Sequence, residues 1–170
     1  MTRLPKGGRL LNVSSMAGAD WKARLERLEP LLATNGAAEG RRWCEDNREA
    51  LARDPYTLSK RLVTAWTMRT AQRGLRDGFT INVLSPGPIE TPLSAQFDAL
   101  TGKAQSDWTT AQTGRAAQPD EIAAVAQLLL TGDCGWLNGA DVPVDGGYRA
   151  GLESGWIDFS HSPVMAARAR

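Results

Sequence analysis

The chain has 170 residues, 42% of them hydrophobic and 23% charged, with a formal net charge of +1. That length suffices for one domain of ordinary size with its own buried core. So even a balance of charge gives no electrostatic reason to expect a nucleic acid or an anionic membrane surface as partner. Cys44 and Cys134 stand far apart in no metal-ligand spacing; two reduced thiols are the preferred reading, a disulfide the alternative. The single histidine, His161, falls near the C-terminus without a partner cluster, which argues against a metal centre and a Ser-His-Asp hydrolase. No stretch approaches the ~18 apolar residues of a membrane span, and no apolar signal region follows the basic start. The expectation is a soluble cytoplasmic protein with no metal.

In chain order, residues 10–13 form a short apolar run between Gly7-Gly8 and Ser14-Ser15, which reads as a buried strand ending in a polar loop. From 19 to 52 the texture turns charged and alanine-rich. Trp21, Leu25, Leu28 and Leu32 recur at helical spacing, with Pro30 near the end and Asn35-Gly36 as a turn. A second helix over 37–51 carries Trp43, Cys44 and Leu51. Asp54-Pro55 has the form of a helix start, and that helix is predicted to reach about residue 72. Residues 79–84 form a second strand, halted at Pro86-Gly87-Pro88. The polar stretch 94–118 is either a mobile loop or a pair of short helices. Pro119-Asp120-Glu121 opens a helix ending near Thr131-Gly132, with acids where its dipole favours them. A last strand, 140–144, stops at Asp145-Gly146-Gly147, and the tail shows no clear period. Strands alternating with helices imply an α/β structure with a parallel sheet.

The chemistry-bearing pair is Tyr56 and Lys60. Four residues apart at a helix start, they project from one face. A lysine ammonium beside a tyrosine favours the phenolate of a group that ordinarily titrates near ~10. Such a tyrosine can serve as proton donor and acceptor near neutral pH. Alone, that spacing is a weak signal, since any helix can carry it on its solvated surface.

Its neighbours make it specific. The run Gly8-Arg9-Leu10-Leu11-Asn12-Val13-Ser14-Ser15-Met16-Ala17-Gly18 resembles the catalytic-serine segment of short-chain dehydrogenases/reductases. Asp54-Pro55-Tyr56-Thr57-Leu58-Ser59-Lys60 resembles their tyrosine-lysine helix start, and 82–92 their strand-to-loop PGxxxT segment. Gly114-Arg115, Pro119-Asp120-Glu121-Ile122-Ala123 and Val144-Asp145-Gly146-Gly147 follow in the same order. The resemblance implies the C-terminal portion of a Rossmann-like doubly wound parallel sheet, of about three strands, with an inserted helical pair. It implies Ser15, Tyr56 and Lys60 as the catalytic residues: Ser15 binding the substrate oxygen, Tyr56 as general acid/base, Lys60 on the nicotinamide ribose. Tyr56, Lys60, Pro86, Gly87, Ile89 and Thr91 would bind an NAD or NADP cofactor. Pro-Gly-Pro is also an ordinary turn, and Thr91 an ordinary helix cap. The implied substrate is a small-molecule alcohol or ketone, secondary or aromatic, and the implied assembly a homo-oligomer if full-length.

Two departures qualify the resemblance. Tyr56 follows Ser15 by 41 residues, far more than the family's usual interval. The surplus, 19–52, resembles the insert of the bacterial 3α-hydroxysteroid dehydrogenase/carbonyl reductase and coniferyl-alcohol dehydrogenase branch. It is expected either to cover the helix carrying Leu62 and Trp66, with Trp21, Leu25 and Trp43 facing it, or to form a lid. Second, no glycine-rich phosphate-binding turn follows a strand. Residues 1–150 therefore read as the catalytic-site half of a dinucleotide-binding domain, and 151–170 as a tail. The chain is expected to be an N-terminally truncated form of an oxidoreductase or, alternatively, a non-enzymatic interaction or oligomerisation module. Leu93, Phe97, Leu100, Trp108, Trp156 and Phe159 are candidates for an apolar substrate wall, or for ordinary packing.

Overall fold

The computed structural model describes residues 4–52 and 54–168; the side chains of residues 50, 100, 101 and 168 lie outside that description. Its centre is a parallel sheet of β1 (Arg9–Val13), β2 (Thr80–Pro86) and β3 (Asp141–Val144), in that order. Val13 lies beside Leu84, and Pro86 beside Val144, so all three strands end on one side. β2 is central and buried from Ile81 onward, whereas β1 and β3 are the edges of the described sheet. This is the α/β arrangement that the alternation of strands and helices implies.

Helices cover both faces because the strand period is two. Ile81, Phe79 and Ala71 form one apolar cluster with Leu10 packed on it. On the other face Leu84, Ile122 and Leu129 cluster with Leu11, Val142 and Val144. The first cluster sits under α4 (Pro55–Asp77) and the second under α7 (Pro119–Thr131). The inserted region consists of a 3-10 turn, Trp21–Arg24, then α1 (Leu25–Leu32), α2 (Ala37–Asp46) and α3 (Arg48–Leu51). Leu28 is its buried anchor, 1% exposed. α1, rather than the α2 that bears Trp43, lies along α4.

Several expected boundaries move. α4 passes residue 72 and stops at Gly78, whose φ of 81° is the left-handed conformation glycine adopts readily. Gly74 stays inside the helix for a different reason: a Cβ there would sit 2.6 Å from the Phe79 carbonyl oxygen. The predicted second insert helix breaks at Asn47, whose side chain donates to the Trp43 carbonyl. The polar stretch is a helix pair, α5 (Ser94–Thr101) and α6 (Lys103–Thr113). The tail is ordered as α8 (Tyr148–Ser154), a 3-10 turn (Phe159–His161) and α9 (Pro163–Arg168). Among the described residues no helix is long and apolar enough to cross a membrane, and no group of metal-ligating side chains forms.

One buried amide joins β2 to the segment before β3. Asn82 donates to the Leu137 carbonyl and accepts the Ala140 N–H, each at 2.9 Å. Asn82→Ala leaves a donor and an acceptor unpaired, so it is expected to destabilise by about 2–4 kcal/mol. Urea unfolding followed by circular dichroism should show a lower midpoint at unchanged slope.

Candidate functional site

The site begins where β1 turns polar. Alternate residues Leu10, Asn12 and Ser14 face α4: Leu10 joins the apolar cluster, Asn12 donates to Thr67 Oγ1, and Ser14 Oγ donates to the Lys60 carbonyl at 3.0 Å. Ser14 Oγ also lies 2.9 Å from Thr64 Oγ1. The strand end is thereby fastened to the helix one turn beyond Tyr56. Gly18 permits the approach, since a Cβ would lie 2.8 Å from Ser14 Oγ and 2.9 Å from the Lys60 carbonyl oxygen. Ser15 is buried, in extended conformation, and its Oγ accepts the Ala17 N–H at 3.2 Å. Its own O–H proton is the one it can offer to a ligand.

Tyr56 and Lys60 share the first turns of α4, which Asp54 caps by accepting the Thr57 N–H at 3.1 Å. The Lys60 ammonium lies 5.5 Å from the Tyr56 ring centroid and 3.4 Å from the Val13 carbonyl oxygen. It thus bridges the tyrosine ring and the residue two before Ser15. The ring also meets Phe97 of α5 edge-on, with centroids 5.2 Å apart. The helix therefore holds Tyr56 and Lys60 beside the turn that carries Ser15.

At the end of β2, Pro86 is buried and Gly87 packs so tightly that a Cβ would meet Asp145 Cα at 2.8 Å. Gly87 is thus glycine because Asp145 occupies the space. Asp145 accepts the Gly147 and Arg149 N–H groups and so starts α8. Ile89 bridges Ala117, and Gln118 donates to Glu90 at 2.7 Å, fixing the turn to the start of α7. Thr91 Oγ1 accepts the Leu93 N–H at 3.3 Å, and the Thr91 N–H donates to Ser94 Oγ. Its side chain thus closes the turn before α5, whose first residue is Ser94, and does not cap that helix.

The apolar candidates divide. Trp108 packs edge-on against Phe159 and Tyr148, at 5.9 and 6.3 Å, so this part of the wall is packing between α6 and the tail. Leu93 and Trp156 are exposed, and Phe97 meets the tyrosine ring edge-on. The Leu100 side chain lies outside the described residues. Open depressions of about 600 and 550 Å³ line the tail and β3, and neither includes Ser15, Tyr56 or Lys60. Sequence reasoning missed Ser14, Gly18 and Thr64. Thr64 stands four residues after Lys60, where a helical side chain faces the same neighbour. The network of Ser85, Asp141 and Arg149 was also missed: Ser85 donates to Asp141 at 2.6 Å, and Arg149 pairs with it at 2.7 Å.

Comparison with known proteins points the same way. A short-chain dehydrogenase family model described as enoyl-(acyl carrier protein) reductase matches residues 25–149. Coniferyl-alcohol dehydrogenase of a Pseudomonas species is 33% identical over 148 residues, 86% of this chain and 58% of its own. Cyclohexanol dehydrogenase of an Acinetobacter species is 34% identical over 96 residues, 56% of this chain and 36% of its own. The crystal structure of 3α-hydroxysteroid dehydrogenase from a Pseudomonas species, complexed with NADH, superposes with a TM-score of 0.67 at 26% identity. It covers 88% of this chain and 58% of its own. The chain therefore spans little more than half the length of coniferyl-alcohol dehydrogenase and of 3α-hydroxysteroid dehydrogenase.

The segment that leads into α7 carries a titratable contact. The Arg115 guanidinium hydrogen-bonds Glu121 through both oxygens, and with the Gln118 N–H it lowers the Glu121 pKa from 4.5 to about 2. A lowered folded pKa contributes stability that is complete above the unfolded value and lost as pH falls through the folded one. Glu121→Gln is therefore expected to differ most from the parent above pH 4.5, the gap closing towards pH 2. Thermal melts across that range would measure it.

Proposed function

The chain belongs to the short-chain dehydrogenase/reductase family, and we propose that it is the catalytic-site portion of an NAD- or NADP-dependent oxidoreductase that interconverts an alcohol and its carbonyl. The observation that carries this is the Lys60 ammonium, set between the Tyr56 ring and the Val13 carbonyl at the end of the strand leading to Ser15. In this reading Ser15 offers its O–H to the substrate oxygen and Tyr56 exchanges the proton there. Both act where negative charge develops during reduction. Lys60 holds the ribose hydroxyls, and Pro86, Gly87, Ile89 and Thr91 border the nicotinamide.

The residues fit one part of such a cofactor. Lys60 presents an ammonium on the strand-end side, and the turn at Gly87 is pinned by Asp145 rather than free to collapse inward. No GxGxxG-type turn follows a strand among the described residues, so these residues offer no counterpart of the turn that receives a pyrophosphate. The bound nicotinamide supplies or accepts the hydride; the protein positions and handles the proton. The activity is accordingly proposed for an N-terminally extended polypeptide of the relatives' length, with residues 1–150 as the catalytic-site half, 19–52 as insert and 151–170 as tail.

A secondary or aromatic alcohol suits the edge-on Phe97 beside Tyr56. One observation favours the alternative, an interaction module: β1 is an edge of the described sheet, and Val13 is 56% exposed.

The test is reduction of NAD and NADP with aromatic and alicyclic secondary alcohols, using the extended polypeptide. Tyr56→Phe is expected to lower kcat by ~10²-fold or more, and Ser15→Ala to do likewise. Undiminished turnover in Tyr56→Phe overturns the reading. Self-association of the 170-residue chain, with no nucleotide binding by fluorescence, supports the module instead.

A further inference from the structure

We infer that the inserted segment from Asp20 to Leu32 is a brace that fixes the Ser15 turn on the helix of Tyr56 and Lys60, with Asp20 and Arg61 as its working contact. The catalytic meaning of the brace rests on the function proposed above; its existence does not. Asp20 follows Gly18 by two residues, and Arg61 follows Lys60 directly. Arg61 donates from Nε to Asp20 Oδ1 at 2.6 Å and from Nη2 to Oδ2 at 2.7 Å. A planar fork on a planar carboxylate fixes orientation as well as distance.

The pair does not stand alone. Glu29, nine residues beyond Asp20, pairs with Arg69, eight residues beyond Arg61. Between them Leu28 is buried to 1% exposure. The insert and α4 therefore run side by side in the same direction for roughly 12 Å, at the ~1.5 Å rise of a helix. An isolated surface ion pair contributes little, because ordering two long side chains offsets the attraction. Here Leu28 already holds the segments together, and Arg61 is only 21% exposed. Arg24 also approaches Asp20, at 3.6 Å, without the fork geometry.

The consequence falls on Ser15. Its turn spans Ser14 to Asp20, and both ends are fastened to one turn of α4: Ser14 to the Lys60 carbonyl and Thr64, Asp20 to Arg61. With the Asp20 carboxylate removed, the turn keeps its Ser14 contacts and the packing of Gly18 on α4 but loses the fork at its far end. Asp20 is thus a positioning residue, acting through the turn and touching no reacting group. Its side chain caps no helix, and its backbone carbonyl still accepts the Ala23 N–H after substitution. Asp20→Ala therefore removes the brace without removing a cap.

Amide hydrogen exchange of the 170-residue chain tests this. The reporters are Ala17, Gly18 and Ala19, whose N–H groups are bonded within the turn to Ser15 Oγ, the Ser15 carbonyl and the Met16 carbonyl. In Asp20→Ala these amides should exchange about fivefold faster or more, while those of Ile81 to Ser85 in β2 keep their rates. The charge-swapped double variant Asp20→Arg/Arg61→Asp should bring them back to within about twofold of the parent. Unchanged exchange in Asp20→Ala, equal acceleration in β2, or no recovery in the double variant overturns the brace. Failure of the catalytic reading is separate: it shows as turnover that survives Ser15→Ala.

Discussion

The buried hydroxyl of Ser14 sits between the Lys60 carbonyl and the Thr64 hydroxyl, and the geometry of the candidate site descends from it. A strand and a helix are separately rigid, but neither dictates where the other stands. Their relative position is set along β1 by three successive side chains on one face. Leu10 contributes apolar packing, Asn12 a hydrogen bond to Thr67, and Ser14 the pair of contacts to Lys60 and Thr64. The partners on α4 move towards its N-terminus as the strand proceeds. The same ladder that holds the layers together thus delivers the strand end to the turn bearing Tyr56 and Lys60. Gly18 belongs to this arrangement, because any side chain there would push the loop off the helix.

The ends of β2 and β3 obey a comparable constraint with different chemistry. Ser85 and Arg149 both bind Asp141, whose side chain is 8% exposed and would be costly to bury without them. Burial of that carboxylate ties β2 to β3 and to α8 within a few residues of Gly87. Asp145 then fills the space against Gly87 and caps α8. The turn after β2 is consequently shaped by packing from below rather than by its own prolines. Both proposed halves of the site, the serine turn and the Pro86-Gly87 turn, inherit their positions from buried polar contacts, which enforce geometry more strictly than apolar ones.

Much of this was legible in the sequence, and what was not has physical reasons. The three strands, the helix started by Asp54-Pro55 and the helix of Pro119 carry strong local signals: apolar period, caps and proline at the first turn. Gly74 misled because glycine reads as a stop, whereas here it admits the Phe79 carbonyl and the helix continues to Gly78. The tail was opaque since α8 is only seven residues long and depends on Asp145 and on Ile157 and Trp156 packed against Gly151. Ser15, Tyr56 and Lys60 stand out by motif. Ser14, Thr64, Asp20 and Arg61 do not, because what they do is visible only once strand, insert and helix meet.

That distinction bears on how the site keeps its precision. In the described sheet β1 has a neighbouring strand on one side only, and Val13, the last strand residue before the serines, is half exposed. An edge strand is held by fewer hydrogen bonds than a central one, and its end is the part most free to fray. The serine turn is held from two sides, by the Ser14 N–H on the Leu84 carbonyl of β2 and by the Ser14 hydroxyl on α4. Lys60 takes part twice, by its backbone carbonyl to Ser14 and by its ammonium to the Val13 carbonyl. A residue whose main chain anchors the loop and whose side chain reaches the tyrosine ring couples the two within one peptide unit. Displacement of either is then felt by the other.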